Sequence, residues 1–208
     1  KQLARELAPM AAVLMDVPTI RLYQDSVFWK RSGDGPTPWH IDSRMSPFDT
    51  SHMVTFWIPL QKVPLDGGTA LMFCSKSHAD IALPYWNALD DINSSSSNNN
   101  NKKQKQEYNE WDHLEERYPN VVDYMPMHLG DMTAHSGWTL HCSNSNEHGM
   151  KDRLAIAVSF VDGDATIRHD LITNTDTEDQ WSYQDWVKDV KPRTKFDHDL
   201  APIVYRGA

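Results

Sequence analysis

The chain has 208 residues, of which 39% are hydrophobic and 10% aromatic, a size and composition that suit one globular domain with one core. Its formal net charge of -9 and sequence pI near 5.5 provide no basic surface for a nucleic-acid backbone, so we expect no nucleic-acid partner. No apolar run reaches the roughly 20 residues that a membrane-spanning helix needs, and the mean hydropathy of -0.62 agrees with this exclusion.

The first predicted elements are a helix and a strand. Residues 2–15 place apolar side chains at helical spacing and stop before Pro18, which predicts a helix packed on the main body. Residues 19–30 have a strand pattern, and the turn RSGDGPTP then leads to Trp39 and His40. Further strands are predicted at 53–62, 69–73, 131–141 and 153–161. Short strands separated by Gly, Pro and Asp favour a mainly β sandwich or barrel.

A polar insert lies near the middle of the chain. Residues 93–106 (NSSSSNNNNKKQKQ) contain no apolar side chain to offset the entropy lost on ordering, so the sequence predicts a disordered surface loop. Amphipathic helices are predicted at 107–117 and 178–189. Because neither half alone holds the candidate metal ligands described below, we expect a single domain over 1–208 rather than two domains joined by a linker.

Cysteine usage gives a weak indication of compartment. Cys74 and Cys142 stand in no CxxC or other metal-ligand spacing, so neither a disulfide scaffold nor a structural zinc site is predicted. A reducing compartment fits this usage, and we expect a cytoplasmic location. The sequence starts at Lys1, and we expect that it lacks the true start of a longer chain.

The segment WHID contains the first candidate metal ligands. His40 and Asp42 are two residues apart and project from the same face of an extended segment, where they offer one imidazole and one carboxylate to a single ion. Such pairs arise by chance in a chain with ten histidines and 29 acidic residues, so a third ligand is needed. Both His135 and His141 are candidates, because their six-residue spacing puts them on the same side of a regular strand. Spacing does not choose between them.

Five segments together carry a family resemblance. They are TPWHIDSRMSPFD, VTFWIPLQKV, DGGTALMF, KSHAD and HCSNSN, the last followed by Arg153. These segments resemble the phytanoyl-CoA dioxygenase family of Fe(II)/2-oxoglutarate-dependent oxygenases over about residues 20–162, apart from the polar insert. The resemblance implies a mainly β fold, a double-stranded β-helix (a cupin-like jelly roll) with flanking α-helices.

The family's metal ligands map onto His40, Asp42 and His141. The segment HCSNSN resembles the family's HxSxxN, with Ser143 in register, whereas nothing comparable follows His135. The resemblance therefore favours His141 as the distal ligand, and His135 is interpreted as a residue of the pocket or a support for a ligand. Two imidazoles and one carboxylate on one face of an octahedron leave three adjacent positions open for cosubstrate and oxygen.

The resemblance also implies a site for 2-oxoglutarate. Arg153 is the candidate to hold its C5 carboxylate, because a planar guanidinium binds a carboxylate bidentately, and Ser143 is a further hydrogen-bond donor. Lys30 and Trp57 are additional candidates for the same pocket. Trp39, adjacent to the first histidine of the motif, is expected to wall the substrate pocket.

The expected cofactors are Fe(II), 2-oxoglutarate and dioxygen, with ascorbate as a reductant in vitro. The expected activity is the hydroxylation of a small-molecule substrate with release of succinate and CO2, although desaturation or another oxidation needs the same ligands. Related halogenases have a small residue in place of the carboxylate, and Asp42 argues against that chemistry. Two alternatives stay open: a non-catalytic protein that keeps the fold, and a cupin-type metal-binding protein that does not use 2-oxoglutarate. The sequence does not predict an oligomeric state.

Overall fold

The computed structural model describes residues 2–80, 114–169 and 189–207. The predicted polar insert at 93–106, the first seven residues of the predicted helix at 107–117 and all but the last residue of that at 178–189 lie outside these ranges. The helices are α1 (Gln2–Met15), α2 (Asp42–Met45), one turn of 3-10 helix (Ser77–Ala79) and α3 (Leu114–Arg117). The strands are β1 (Thr19–Lys30), β2 (Thr37–His40), β3 (Phe48–Asp49), β4 (Met53–Pro59), β5 (Leu71–Cys74), β6 (Val121–Asp123), β7 (Thr133–Ser136), β8 (His141–Ser143), β9 (Arg153–Asp162), β10 (Thr166–Ile167) and β11 (Ile203–Arg206).

Two antiparallel sheets form the body of the protein. The larger sheet has five strands in the order β11-β1-β9-β4-β7, and the smaller has four in the order β2-β8-β5-β6. Strands β3 and β10 form a separate pair. Neighbours in each sheet are distant in sequence, so residues from widely separated motifs come together at the inner faces of the sheets.

Alternating side chains give the five-stranded sheet an outer and an inner face. The even-numbered residues of β4 pack outwards, and the odd-numbered residues Met53, Thr55 and Trp57 line an internal cavity. Strand β9 follows the same rule, with Phe160 on the outer face and Ser159 on the cavity. Each strand thus contributes to the core with one set of side chains and to the cavity with the other.

Helix α1 covers the outer face of this sheet. Its buried side chains, which recur at helical spacing, are Ala4, Leu7, Ala8, Ala11 and Met15. They pack against a cluster that includes Phe56 and Phe160, whose rings meet edge to face with centroids 5.9 Å apart. The helix predicted at 2–15 is therefore confirmed, and its packing leaves the inner face of the sheet available for the cavity.

A bulge in β1 adds to the cavity wall. The register of β1 against β9 shifts between Leu22 and Gln24, and as a result both Tyr23 and Gln24 line the cavity. Beyond the bulge the regular alternation resumes, with Ser26 and Phe28 on the same side.

The strand predicted at 131–141 is wrong, because the chain turns in its middle. Strand β7 belongs to the five-stranded sheet and β8 to the four-stranded sheet. At the turn, a Cβ atom on Gly137 would lie 2.3 Å from the Ser43 hydroxyl and 2.8 Å from the Met53 side chain. The backbone of Gly137 also exchanges hydrogen bonds with both segments, so the close approach that breaks the strand needs glycine.

Strand β4 ends earlier than expected, at Pro59 rather than residue 62, while β1 and β9 match their predictions closely. Cys74 and Cys142 are both buried free thiols. Within the described ranges, no helix has the length and apolar character that a membrane crossing requires.

Candidate metal centre and adjoining pocket

His40 and His141 meet across two neighbouring strands of the smaller sheet. They are register partners in the β2–β8 pair, and their ring centroids lie 4.1 Å apart. In each ring Nδ1 lies within hydrogen-bond distance of the carbonyl two residues earlier, 2.8 Å from Pro38 O and 2.9 Å from Thr139 O. Since a carbonyl only accepts, Nδ1 carries the proton, and Nε2 of each ring presents its lone pair.

Asp42 begins helix α2 and places its carboxylate between the two rings. Its Oδ1 atom lies 3.7 Å from His40 Nε2 and 3.6 Å from His141 Nε2. One ligand atom from each of the three residues lies within 4.8 Å of the other two. The three groups that the HxD motif and the distal histidine provide thus converge on one point.

The electrostatics of this cluster favour the protonation states that bind a cation. Burial on its own raises the pKa of Asp42, but the imidazole of His141, followed by those of His135 and His40, holds that pKa well below its usual range. Burial lowers the pKa of His141 to about 3, against the opposing effect of Asp42. At neutral pH the carboxylate is therefore charged and the His141 ring neutral, as metal ligation requires.

These residues fit a divalent metal of the first transition series. Two neutral imidazoles and one carboxylate are the donor set that Fe(II) takes in oxygenases with open coordination positions. Both ring tautomers are already fixed by backbone carbonyls, so no rearrangement of protons is needed before a metal binds.

His135 lies beside this cluster but in a different setting. Its Nε2 atom is 3.4 Å from Asp42 Oδ2, and its ring centroid is 4.4 Å from that of His141. The ring is buried, and neither nitrogen makes a hydrogen bond to any described residue. His135 therefore lacks the carbonyl contact that orients the other two rings.

Arg153 lies at the first position of β9, with its side chain on the cavity. It is 6% exposed, and its Nε donates to the Thr69 carbonyl at 3.1 Å. Its guanidinium carbon lies 5.3 Å from the centroid of the Trp57 ring, which also lines the cavity. Burial lowers the pKa of Arg153 to about 10, so it stays charged at neutral pH. Among the described residues, no carboxylate pairs with it.

Ser143 and Lys30 lie behind Arg153 rather than on the cavity surface. The Ser143 hydroxyl donates to the Thr69 carbonyl and accepts from Arg153 Nη2 at 3.4 Å and from Lys30 Nζ at 3.3 Å. Lys30 also donates to the carbonyl of Asn144. Of the four residues predicted for the cosubstrate, Arg153 and Trp57 thus line the cavity, Ser143 contacts Arg153, and Lys30 contacts Ser143.

The cavity itself has a volume of about 470 Å³ and lies between the two sheets. His40, Asp42 and His141 are at one place on its wall and Arg153 at another. Trp39 points away from it and packs with a cluster that contains Ile41, Cys74 and Leu140, so the expectation that it walls the pocket is wrong. Neighbouring residues of a strand face opposite sides, and His40 occupies the cavity side.

Sequence reasoning missed two residues that organise the site. Thr55 donates from Oγ1 to Asp42 Oδ2 at 2.8 Å, and the Thr69 carbonyl accepts from both Ser143 and Arg153. Thr55 carries a weak signal, a polar residue on the cavity face of the otherwise apolar segment MVTFWIP. Thr69 acts through its backbone, for which side-chain chemistry gives no signal.

A jelly roll with two histidines and one aspartate at a buried cavity defines a class of non-heme metalloenzymes. The profile of the family described as phytanoyl-CoA dioxygenase (PhyH) matches residues 2–154, and the chain belongs to this family. Members are Fe(II)/2-oxoglutarate-dependent oxygenases, so the protein is an enzyme of this class, with iron and 2-oxoglutarate as metal and cosubstrate. A comparison with curated proteins finds no match.

Solved structures with the same fold include enzymes of several activities. The α-ketoglutarate-dependent carbocyclase SnoK from nogalamycin biosynthesis aligns with a TM-score of 0.67 and 19% identity, over 97% of this chain and 69% of its own. The epimerase SnoN, in complex with Fe3+, α-ketoglutarate and nogalamycin RO, aligns with a TM-score of 0.64 and 19% identity, over 96% of this chain and 70% of its own. EctD from S. alaskensis, with 2-oxoglutarate and 5-hydroxyectoine, aligns with a TM-score of 0.57 and 15% identity, over 80% of this chain and 53% of its own. These likenesses confirm the predicted jelly-roll fold.

Proposed function

We propose that the protein hydroxylates a small molecule with conversion of 2-oxoglutarate to succinate and CO2, and that His40, Asp42 and His141 hold the iron. Bound Fe(II) would supply the activation of dioxygen, one oxygen atom going to the substrate and the other to succinate. The protein's own residues fix the ligand set, anchor the cosubstrate, exclude water and hold one C–H bond beside the metal.

The observation that carries this proposal is the buried guanidinium of Arg153. A buried charge without an acidic partner is costly, and Lys30, its register partner on β1, adds a second buried cation. The repulsion between them helps to lower the pKa of Lys30 to about 8, after the larger effect of burial. An anionic ligand relieves both costs, and a dicarboxylate that reaches from the metal to Arg153 does so in the same cavity.

The groups around Arg153 hold it in one orientation. The Thr69 carbonyl accepts from Nε, the Ser143 hydroxyl accepts from Nη2, and the Trp57 ring lies against the guanidinium. A planar guanidinium held in this way can donate two parallel hydrogen bonds to the distal carboxylate of 2-oxoglutarate. Ser143 then acts on the cosubstrate by positioning Arg153, and Lys30 acts by holding Ser143.

The remaining wall supports a small molecule as the substrate. It combines apolar and polar groups from β1 and α2: Tyr23, Gln24, Ser26, Phe28 and Met45. None of these side chains is charged, and the cavity volume lies in the range of small-molecule sites. Hydroxylation requires only that one C–H bond is held next to the metal, which walls of this kind can do.

Anaerobic titration of the metal-free protein with Fe(II) and 2-oxoglutarate tests the proposal. We expect a weak visible absorption band that needs both components and fails to appear with glutarate, which lacks the keto oxygen. Admission of oxygen should release succinate, and screening for metabolites that accelerate this release should yield a product heavier by one oxygen atom. Absence of the band, with Fe(II) bound, would overturn the assignment of 2-oxoglutarate; a product with no added oxygen would overturn hydroxylation.

A further inference from the structure

The two oxygen atoms of Asp42 have different surroundings. Oδ1 faces the Nε2 atoms of His40 and His141 at 3.7 and 3.6 Å. Oδ2 faces the larger sheet, where Thr55 and His135 are register partners on β4 and β7. One oxygen is thus directed towards the ligand cluster and the other towards two residues that do not belong to it.

Thr55 is held in place as a donor to Oδ2. Its Oγ1 donates to Asp42 Oδ2 at 2.8 Å, and Ser159 Oγ lies 2.9 Å from the same hydroxyl. A hydroxyl has one proton, and the carboxylate accepts it, so Ser159 must donate to Thr55. The chain Ser159–Thr55–Asp42 therefore runs across β9 and β4 and ends on Oδ2.

His135 approaches the same oxygen from the other side. Its Nε2 atom lies 3.4 Å from Oδ2, slightly beyond good hydrogen-bond geometry, and neither ring nitrogen has another partner among the described residues. His135 does not belong to the group of ligand atoms that could share one ion, so a proton on its Nε2 is what makes this contact attractive. Hydrogen bonds at such sites are often long without ligands and shorten when the ligands bind.

We propose that Thr55 and His135 are positioning residues that hold Asp42 Oδ2 from behind, so that Asp42 offers only Oδ1 to the metal. This inference rests on the ligand set of the proposed function. A carboxylate that binds through one oxygen occupies one coordination position, whereas one that binds through both occupies two. The pair Thr55 and His135 thereby keeps free a position that the cosubstrate and oxygen need.

Binding of Co(II) to the metal-free protein tests the inference without any turnover. Thr55→Val and His135→Leu each remove one donor, and support of a metal ligand from behind is typically worth about 10- to 100-fold in metal affinity. We expect losses of that size. Thr55→Ser keeps the hydroxyl and His135→Gln keeps an N–H at similar reach, and both should recover most of the lost affinity.

Thr133→Val is the matched control for Thr55→Val. Thr133 is also buried on the larger sheet, on β7, but its hydroxyl has no hydrogen-bond partner among the described residues. This variant should bind Co(II) as the wild type does. Melting temperatures of the metal-free proteins identify any variant that loses affinity because its fold is damaged.

The possible outcomes are separable. Wild-type affinity in Thr55→Val, or no recovery by Thr55→Ser in a folded protein, overturns the inference. If His135→Leu does not fold, the Co(II) affinities of Thr55→Val, Thr55→Ser and Thr133→Val test the inference without it. If the wild-type protein binds no Co(II), the proposed ligand set itself fails, and this inference with it.

Discussion

The carboxylate of Asp42 is surrounded by three imidazoles, and the hydrogen bonds of their Nδ1 atoms distinguish them. His40 and His141 each have Nδ1 on a backbone carbonyl, while His135 has none among the described residues. Sequence spacing left His135 and His141 equivalent, because it assumed one regular strand. The difference between them is a difference in local backbone, which only the structure provides.

Removal of any one of the three proposed metal ligands should abolish iron binding. We expect His40→Ala, Asp42→Asn and His141→Ala to show no Fe(II) binding in titrations that saturate the wild type, because each variant leaves two of three ligands. Asp42→Asn keeps the size of the side chain and removes its charge. His52→Ala, which changes an exposed histidine outside the cluster, is the control. Tight iron binding by His141→Ala would show that the distal ligand is misassigned.

Loss of the Arg153 guanidinium should weaken 2-oxoglutarate binding while metal binding persists. A charge-assisted bidentate contact in a partly desolvated site is worth on the order of 2–5 kcal/mol, so Arg153→Leu should raise the 2-oxoglutarate requirement by roughly 30- to several-thousand-fold. Arg153→Lys should recover part of this. Succinate release against cosubstrate concentration, with Fe(II) titration of the same variant, measures both.

A second cosubstrate separates this role from a general loss of function. 2-Oxobutyrate keeps the 2-keto acid group but lacks the distal carboxylate. Wild-type protein should bind it much more weakly than 2-oxoglutarate, whereas Arg153→Leu should bind the two with similar affinity. If the variant retains the wild-type preference, Arg153 does not hold the distal carboxylate.

At the scale of elements, hydrophobic periodicity predicted the helix at 2–15 and the strands β1 and β9 well. Helix α1 and β9 each pack an apolar face on a neighbour, which is what periodicity reports, and β1 does so in its first half, whereas Val27 and Trp29 in its second half are exposed. The failure at 131–141 has a different origin. The break there comes from Gly137 meeting Ser43 and Met53, contacts between residues about 90 positions apart in sequence, which no local pattern encodes.

The pairing of β1 with β9 places two cations opposite each other at its last register position, which affects the pKa of Lys30. Lys30 lies opposite Arg153, and burial, followed by the charge of Arg153, lowers the pKa of Lys30 to about 8 from its ordinary value of 10.5. Between these two values the unfolded chain holds a proton on Lys30 that the folded protein has released. Folding stability from this group therefore rises with pH across that window.

Replacement of Lys30 by Met should remove this pH dependence. The free energy of unfolding of the wild type, minus that of Lys30→Met, should increase between about pH 8 and 10.5, because only the wild type carries the shifted group. Urea unfolding at several pH values in this window, without cosubstrate, measures the difference. Lys62→Met, at an exposed position, controls for loss of a surface lysine. A difference that is flat with pH would mean that Lys30 is not shifted in the folded protein.

On the scale of the whole molecule, the charge beside the cavity is opposite in sign to the net charge of the chain. The chain carries a formal net charge of -9, yet its two deeply buried cations next to the cavity, Lys30 and Arg153, have no acidic partner among the described residues. Composition predicted no nucleic-acid partner and gave no sign of a dicarboxylate site. The proposed site depends on two cations that distant strands bring together, and the sequence suggests it only through the family resemblance.

The ends of the undescribed segment 81–113 are joined by contacts in the described part of the chain. Arg117 Nε and the Tyr118 hydroxyl both donate to Asp80 Oδ2 at 2.6 Å. Burial, followed by the hydrogen bond to Asp80, raises the pKa of Tyr118 to about 12, so the phenol remains a donor at physiological pH. The chain on either side of the segment is therefore held together by these residues.

Deletion of residues 94–105 should consequently leave folding and metal binding nearly unchanged. The deletion removes 12 of the 33 residues between Asp80 and Leu114, all of them polar, and a loop shortened by this amount changes the closure free energy by only about 0.4 kcal/mol. We expect the melting temperature to stay within a few degrees and Fe(II) affinity to match the wild type. Asp80→Ala, which breaks the contacts that join the two ends, should destabilise the protein more than the deletion does. A deletion variant that melts far below Asp80→Ala would show that the polar residues contribute to the fold. A deletion variant that keeps its stability but loses turnover would assign the segment to the substrate pocket.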